Sequence, residues 1–185
     1  IEVYNKINSH LNTVFNISGL TYAEQEVLLN MTLISAYGIE MDEFISACDC
    51  ELVTSEIIKK LINQGWIENR DTLISMHSIV SDVISEKGIE KQECYYSLAE
   101  YLEDSCGVDE DFHIYEIQKA LSTAKQLERR YKTEDEIFVA VINFRLGNIY
   151  MALYRPKNAK VCLEKALLIA ENEQDYEDLP CIYNK

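Results

Sequence analysis

Proline and glycine are scarce in this chain of 185 residues, at two and six. A chain so poor in breakers, with 48% hydrophobic residues, is expected to fold and to fold mostly into helices. Positive charge is short as well. Residues 1–90 carry 5 basic against 14 acidic residues, net −9, and the remainder 12 against 18, net −6. A nucleic-acid binder concentrates cations to neutralise phosphates, and neither half does so. No apolar run approaches the ~20 residues that span a bilayer, and nothing has the layout of a signal peptide. No CxxC occurs, and Cys48 and Cys50 stand too close together for ordinary zinc-ligand spacing. The scattered cysteines, Cys48, Cys50, Cys94, Cys106, Cys162 and Cys181, therefore read as reduced and structural, which points to the cytoplasm. The string GxxxxGK is missing, so ATP hydrolysis is not expected. No nucleophile, base and oxyanion donor group by sequence, so no catalytic residue and no metal ligand is assigned, and an enzyme is not expected. The chain opens on Ile1 and closes on Lys185 inside a helical pattern, which reads as a piece of a longer protein.

What is present is periodicity. "LTYAEQEVLLNMTLIS" has Thr21 as a cap, Glu24 at the capping-box spacing, and Ala23, Val27, Met31 and Ile34 on one face. "YGIEMDEFISAC" follows, with Gly38 as a stop and Met41, Phe44 and Ile45 as an apolar stripe. "LVTSEIIKKLINQGW" predicts a helix capped by Thr54, stapled by Val53 against Ile58, and stopped at Gly65. Its buried face is Ile57, Ile58, Leu61 and Ile62. The period then changes: "WIENRDTLISM" predicts strands at 66–68 and 72–76 around the polar turn "NRD". "SIVSDVISEKG" predicts a further helix, ending at Gly88. Three helices, a hairpin and a helix are what a winged helix-turn-helix domain needs, here over residues 1–90.

From residue 91 only helices are visible. "KQECYYSLAEYLEDSCG" and "FHIYEIQKALSTAKQLERRY" read as a helical pair over residues 91–134, a bridge or else a divergent repeat, carrying Tyr95, Leu98, Ala99 and Leu102 on the first and Ile117, Leu121, Ala124 and Tyr131 on the second. The next segment, "NFRLGNIYMALYRPKNAKVCLEKALLIAE", resembles a tetratricopeptide repeat. Leu146, Gly147 and Tyr150 fit its first helix, and Ala159, Leu163 and Ala166 its second. Gly147 and Ala159 would let the two backbones approach closely. Asn143 stands where the repeat has an aromatic, and Glu171 where it has a closing proline. Residues 135–185 are thus expected to be one repeat and the start of another, at "DLPCIYNK". The expected fold class is mainly α, a winged helix-turn-helix domain followed by tetratricopeptide-like antiparallel repeats.

A winged helix followed by such repeats resembles the region C-terminal to the ATPase core in STAND-class signal-transduction NTPases of the NB-ARC-like type, which include plant disease-resistance proteins, apoptotic ATPases and bacterial regulators. The likeness lies in "HLNTVFNISGL" through "MHSIVSDVI": a "GI" after the first helix, an "LxxxGWI" entering the wing, and a histidine opening the last helix. In those relatives a Met-His-Asp triplet places its histidine on the phosphate of ADP held by the core. Met76 and His77 match it, and Ser78 replaces the acid, leaving a residue suited to capping the helix. The resemblance implies nucleotide sensing by His77 in the intact protein, with ADP or ATP bound by an upstream core; the alternative is that His77 only hydrogen-bonds backbone at the strand–helix junction. The fragment itself implies no cofactor. His10 and His113 read as solvent-side helix residues.

The resemblance also implies a protein or peptide partner in the groove of the repeat's first helix, at Arg145 and Asn148 with Phe144 and Met151 nearby. The alternative for Arg145 and Asn148 is an intramolecular contact with the preceding helix. The expected function is a non-catalytic regulatory fragment whose winged helix packs on a nucleotide-binding core. Its rival is a DNA-binding transcription regulator with a helical dimerisation or effector module, which would show a positive stripe over the third helix and wing. A free-standing peptide scaffold is a third reading.

Overall fold

The computed structural model describes residues 17–87, 89–108, 112–131 and 136–173. His10, Gly88, Cys181 and "DLPCIYNK" lie outside them. The chain is mainly helical, with eight α-helices and one small antiparallel sheet among the described residues. It divides into two compact units, residues 1–99 and 100–185.

In the first unit, helix α1 (Tyr22–Met31) starts from Thr21, whose hydroxyl accepts the Glu24 amide. The Glu24 carboxylate returns to the Thr21 amide at 2.7 Å, so the capping box is complete. The expectation of one apolar face gives way here. Every residue from Glu26 to Ser35 is buried, because the rest of the unit closes around this segment. Strand β1 (Ile39–Glu40), helix α2 (Met41–Cys48) and helix α3 (Ser55–Asn63) follow. Thr54 caps α3 through the Ile57 amide, and Val53 and Ile58 are both buried. The helix ends in a Schellman turn: the Trp66 amide donates to Leu61 and the Gly65 amide to Ile62, with Gly65 at φ 79°.

The hairpin pairs β2 (Glu68–Arg70) with β3 (Leu73–Ser75), and β3 also pairs with β1, giving the order β1-β3-β2. Asn69 and Arg70 were expected in the turn and instead lie in β2, opposite Ile74 and Leu73. The turn is Asp71–Thr72, with Asp71 at φ 58°, a conformation that Asp tolerates better than most residues. Strand β1 was not anticipated. It exists through its partner, with Ile39 opposite Ile74 and both buried in the core. Gly38 makes room for it, since a Cβ there would lie 2.9 Å from the Ile74 carbonyl oxygen. Helix α4 (Ser78–Ser85) closes the run.

Helix α5 (Glu93–Asp104) contains the boundary between the units. Helices α6 (Ile114–Tyr131), α7 (Glu136–Ala152) and α8 (Pro156–Glu173) belong to the second. The α7–α8 turn is a second Schellman motif. Arg155 donates to Tyr150 and Tyr154 to Met151, and Tyr154 holds φ 55° where glycine is usual. Pro156 opens α8 at the first helical position, where its missing N–H costs nothing. Ala159, Ala166 and Ala170 are all buried, so α8 presents a small-residue line to the core.

Candidate functional site

His77 sits where β3 hands over to α4, with extended backbone (φ −60°, ψ 136°). Its Nδ1 accepts the Ile79 amide at 3.3 Å, so His77 itself is the helix cap. Ser78, expected to cap, is instead the first helical residue. An accepting Nδ1 puts the proton of the neutral ring on Nε2. The ring is exposed, and Nε2 makes no hydrogen bond to any described residue. Chemically, this is an exposed N–H donor on a ring tied to the helix start by its Nδ1 bond to the Ile79 amide.

The third helix and hairpin carry three cations, and two of them are already engaged. Lys60 Nζ lies 2.6 Å from Glu24 Oε1, a carboxylate only 3% exposed. Lys60 first, and then the Thr21 amide, hold Glu24 below the usual carboxylate range. Arg70 pairs with Glu68 at 2.6 Å along the same strand. Lys59 is left, on a helix that also presents Glu56. No positive stripe forms over these elements among the described residues.

The residues that carry the repeat resemblance meet in the second unit. A Cβ on Gly147 would lie 2.5 Å from Cδ2 and 2.6 Å from Cγ of Leu163, so α7 and α8 approach as closely as a glycine permits. Leu146, Tyr150, Ala159 and Ala166 are buried and Leu163 half-buried. Asn143 is buried and satisfied by donating to the Val139 carbonyl at 2.7 Å. Of the groove candidates, Phe144 is buried, Asn148 is half-buried, and Met151 is exposed. Arg145 is bound to Glu103 of α5 at 2.5 Å, with Asp104 at 4.0 Å. The structure therefore brings Arg145 into an intramolecular contact and leaves Met151 outward. Exposed Tyr154, Val161 and Leu168 were not anticipated; the i, i+7 spacing of the last two was the available signal.

A polar cluster is buried between α1 and α5. The Cys94 thiol donates to Glu26 Oε1 at 3.2 Å, and Asn30 Nδ2 donates to the Glu26 carbonyl at 2.9 Å. Glu26 Oε2 and Asn30 Oδ1 are buried without a partner. Burial outweighs these bonds and raises Glu26 above the usual carboxylate range. Burial likewise pushes Cys94 and Cys106 up to about 12 and Cys48 higher still. The five described cysteines are unbridged, and the three buried ones are poor nucleophiles. Among the described residues no group of His, Cys, Asp or Glu could hold a metal ion, and no helix is long and apolar enough to cross a membrane.

No family model, no curated protein and no solved structure matches this chain.

Proposed function

We propose that the chain is a non-catalytic regulatory and interaction module: a winged-helix domain followed by a tetratricopeptide-like helical pair, acting within a larger signalling protein. The order helix, strand, helix, helix, hairpin, helix supports the first assignment, and the glycine-mediated α7–α8 packing supports the second. The winged helix would pack on a nucleotide-binding core, with His77 Nε2–H directed at a phosphate of ADP. The helical repeats would bind a protein or ligand and bias the equilibrium between two arrangements. Met151 and Tyr154 at the helical turn, and Val161 and Leu168 on α8, are the exposed apolar side chains suited to that contact.

The observation that carries the choice of protein over DNA is the state of the cations. Two of the three on the third helix and hairpin already neutralise carboxylates of the same unit, so binding phosphates would first require breaking those pairs. Fluorescence anisotropy of a labelled DNA duplex at low salt tests it. No saturable binding is expected at protein concentrations up to about 100 µM, at or beyond typical non-specific affinities. Saturable binding that weakens steeply with salt, and that Lys59→Ala lowers, reverses the choice.

A further inference from the structure

The face on which a DNA-binding winged helix would grip phosphates carries a groove of the opposite character. Its volume is about 360 Å³, the low end for a binding pocket and room for one or two side chains. The floor is apolar: Ile74 is buried, and Met41 and Ile62 are half-buried. Three exposed carboxylates stand around it, Glu40 from β1, Asp42 from the first turn of α2, and Asp71 from the hairpin turn. None of the three makes an ion pair or hydrogen bond among the described residues. Glu40 at the cap and Asp42 in the first turn both face the α2 dipole, and Asp71 suits the left-handed turn, but none of these roles gives the carboxylate a cationic partner. Among the described residues Lys59 is the one cation on the rim.

We propose that this groove receives an arginine side chain of a protein partner. The aliphatic stem would lie along Met41, Ile62 and Ile74, as long charged side chains do on apolar surface. The planar guanidinium carries five N–H donors in a fixed fork and can address carboxylates on different elements at once, whereas an ammonium acts as a point charge. Asn69, also on the wall, offers an amide donor and acceptor to the peptide backbone on either side of the arginine. A DNA strand is repelled by the same three carboxylates. The inference shares with the proposed function only the choice of protein over DNA; it does not depend on a nucleotide-binding core.

The probe is the tripeptide Ac-Ile-Arg-Leu-NH2, titrated into the ¹⁵N-labelled 185-residue chain. Saturable shifts are expected at amides of residues 40–42, 59–62 and 69–74, with dissociation in about the millimolar range. The lysine analogue should bind about threefold more weakly. The Asp42→Asn/Asp71→Asn double variant should weaken the arginine peptide about fivefold to tenfold, two exposed charge pairs being lost. Asn keeps the left-handed turn at 71, and an unchanged circular dichroism spectrum checks the fold. If that variant unfolds, Glu40→Gln takes its place, with about a threefold loss expected. The proposal is overturned if no saturable shifts occur up to about 20 mM peptide, if the carboxylate variants bind unchanged, or if spermidine displaces the peptide and binds more tightly. Failure here with no DNA binding leaves the interaction-module reading standing; DNA binding through the same amides overturns both.

Discussion

Replacing Gly147 by alanine sets two effects of known size against each other. In the interior of α7 the change should add about 1 kcal/mol of helix propensity. The new Cβ would stand 2.5 Å and 2.6 Å from two carbons of Leu163, where carbon atoms ordinarily keep about 3.5–4.0 Å apart. Leu163 must therefore move by about 1 Å, and overpacking of that order costs about 1–3 kcal/mol. The net expectation is a loss of roughly 0–2 kcal/mol. Leu163→Ala alone should cost about 1–2 kcal/mol, less than a core leucine because the side chain is half-buried. In that background the clash is gone, and Gly147→Ala should stabilise by its full propensity of about 1 kcal/mol. The coupling energy of the cycle is then about 1–3 kcal/mol. Opening free energies differ from segment to segment, so the quantity to measure is that of α7 and α8 peptides by segment-resolved hydrogen exchange. If Gly147→Ala stabilises by the same amount with Leu163 present or absent, the helices do not approach at this point and the packing account is wrong.

Other consequences follow from the same contacts. Glu26 has its folded pKa raised above the unfolded value, so the folded state holds a proton that the unfolded state releases. Stability should fall as pH rises from about 4.5 through the folded pKa, and Glu26→Gln should flatten that slope in urea unfolding at stepped pH. Glu24 has the opposite sign: its contribution is present above about pH 4.5 and lost as pH falls through its lowered folded pKa. Lys60→Met should shrink that low-pH loss. Tyr154→Gly relieves a left-handed residue whose side chain is 93% exposed, and should raise the melting midpoint through a gain of about 0.5–1 kcal/mol. Cys48, Cys94 and Cys106 should resist a maleimide at neutral pH until denaturant is added, as read by mass spectrometry of each peptide.

The legible parts of the fold are those whose signals are local. Thr21 with Glu24, Thr54, and Gly65 before Trp66 are capping and stop devices contained within a few residues, and each acts as its spacing predicts. Strand β1 is two residues long and exists only by pairing Ile39 with Ile74 and Glu40 with Leu73, far along the sequence, so no local pattern marks it. Helix α1 buries Glu24, Glu26 and Asn30, which a hydrophobic-periodicity reading assigns to solvent. Their burial depends on Lys60 and Cys94, contributed from far along the chain. The position of His77 was legible, as was the alternative of a backbone hydrogen bond at the strand–helix junction; that His77 and not Ser78 caps the helix was not. A serine next to it has the better capping propensity, but the backbone of His77 takes the extended angles of the cap position. The groove carboxylates were invisible as a set because they come from three separate elements.

The nucleotide-sensing role proposed for His77 can be tested directly, because its cap to α4 supplies the control. Asparagine caps a helix well and carries no imidazole, so His77→Asn keeps the fold, whereas His77→Ala should cost about 0.5–1 kcal/mol of helix stability. The measurement is made on the full-length gene product: purify it, denature it, and quantify released nucleotide by ion-exchange chromatography. The account predicts near-stoichiometric ADP in the unaltered protein and a clear reduction in His77→Asn at unchanged thermal stability. Absence of nucleotide, or equal ADP in the two proteins, would contradict it and leave His77 as the cap of α4 alone.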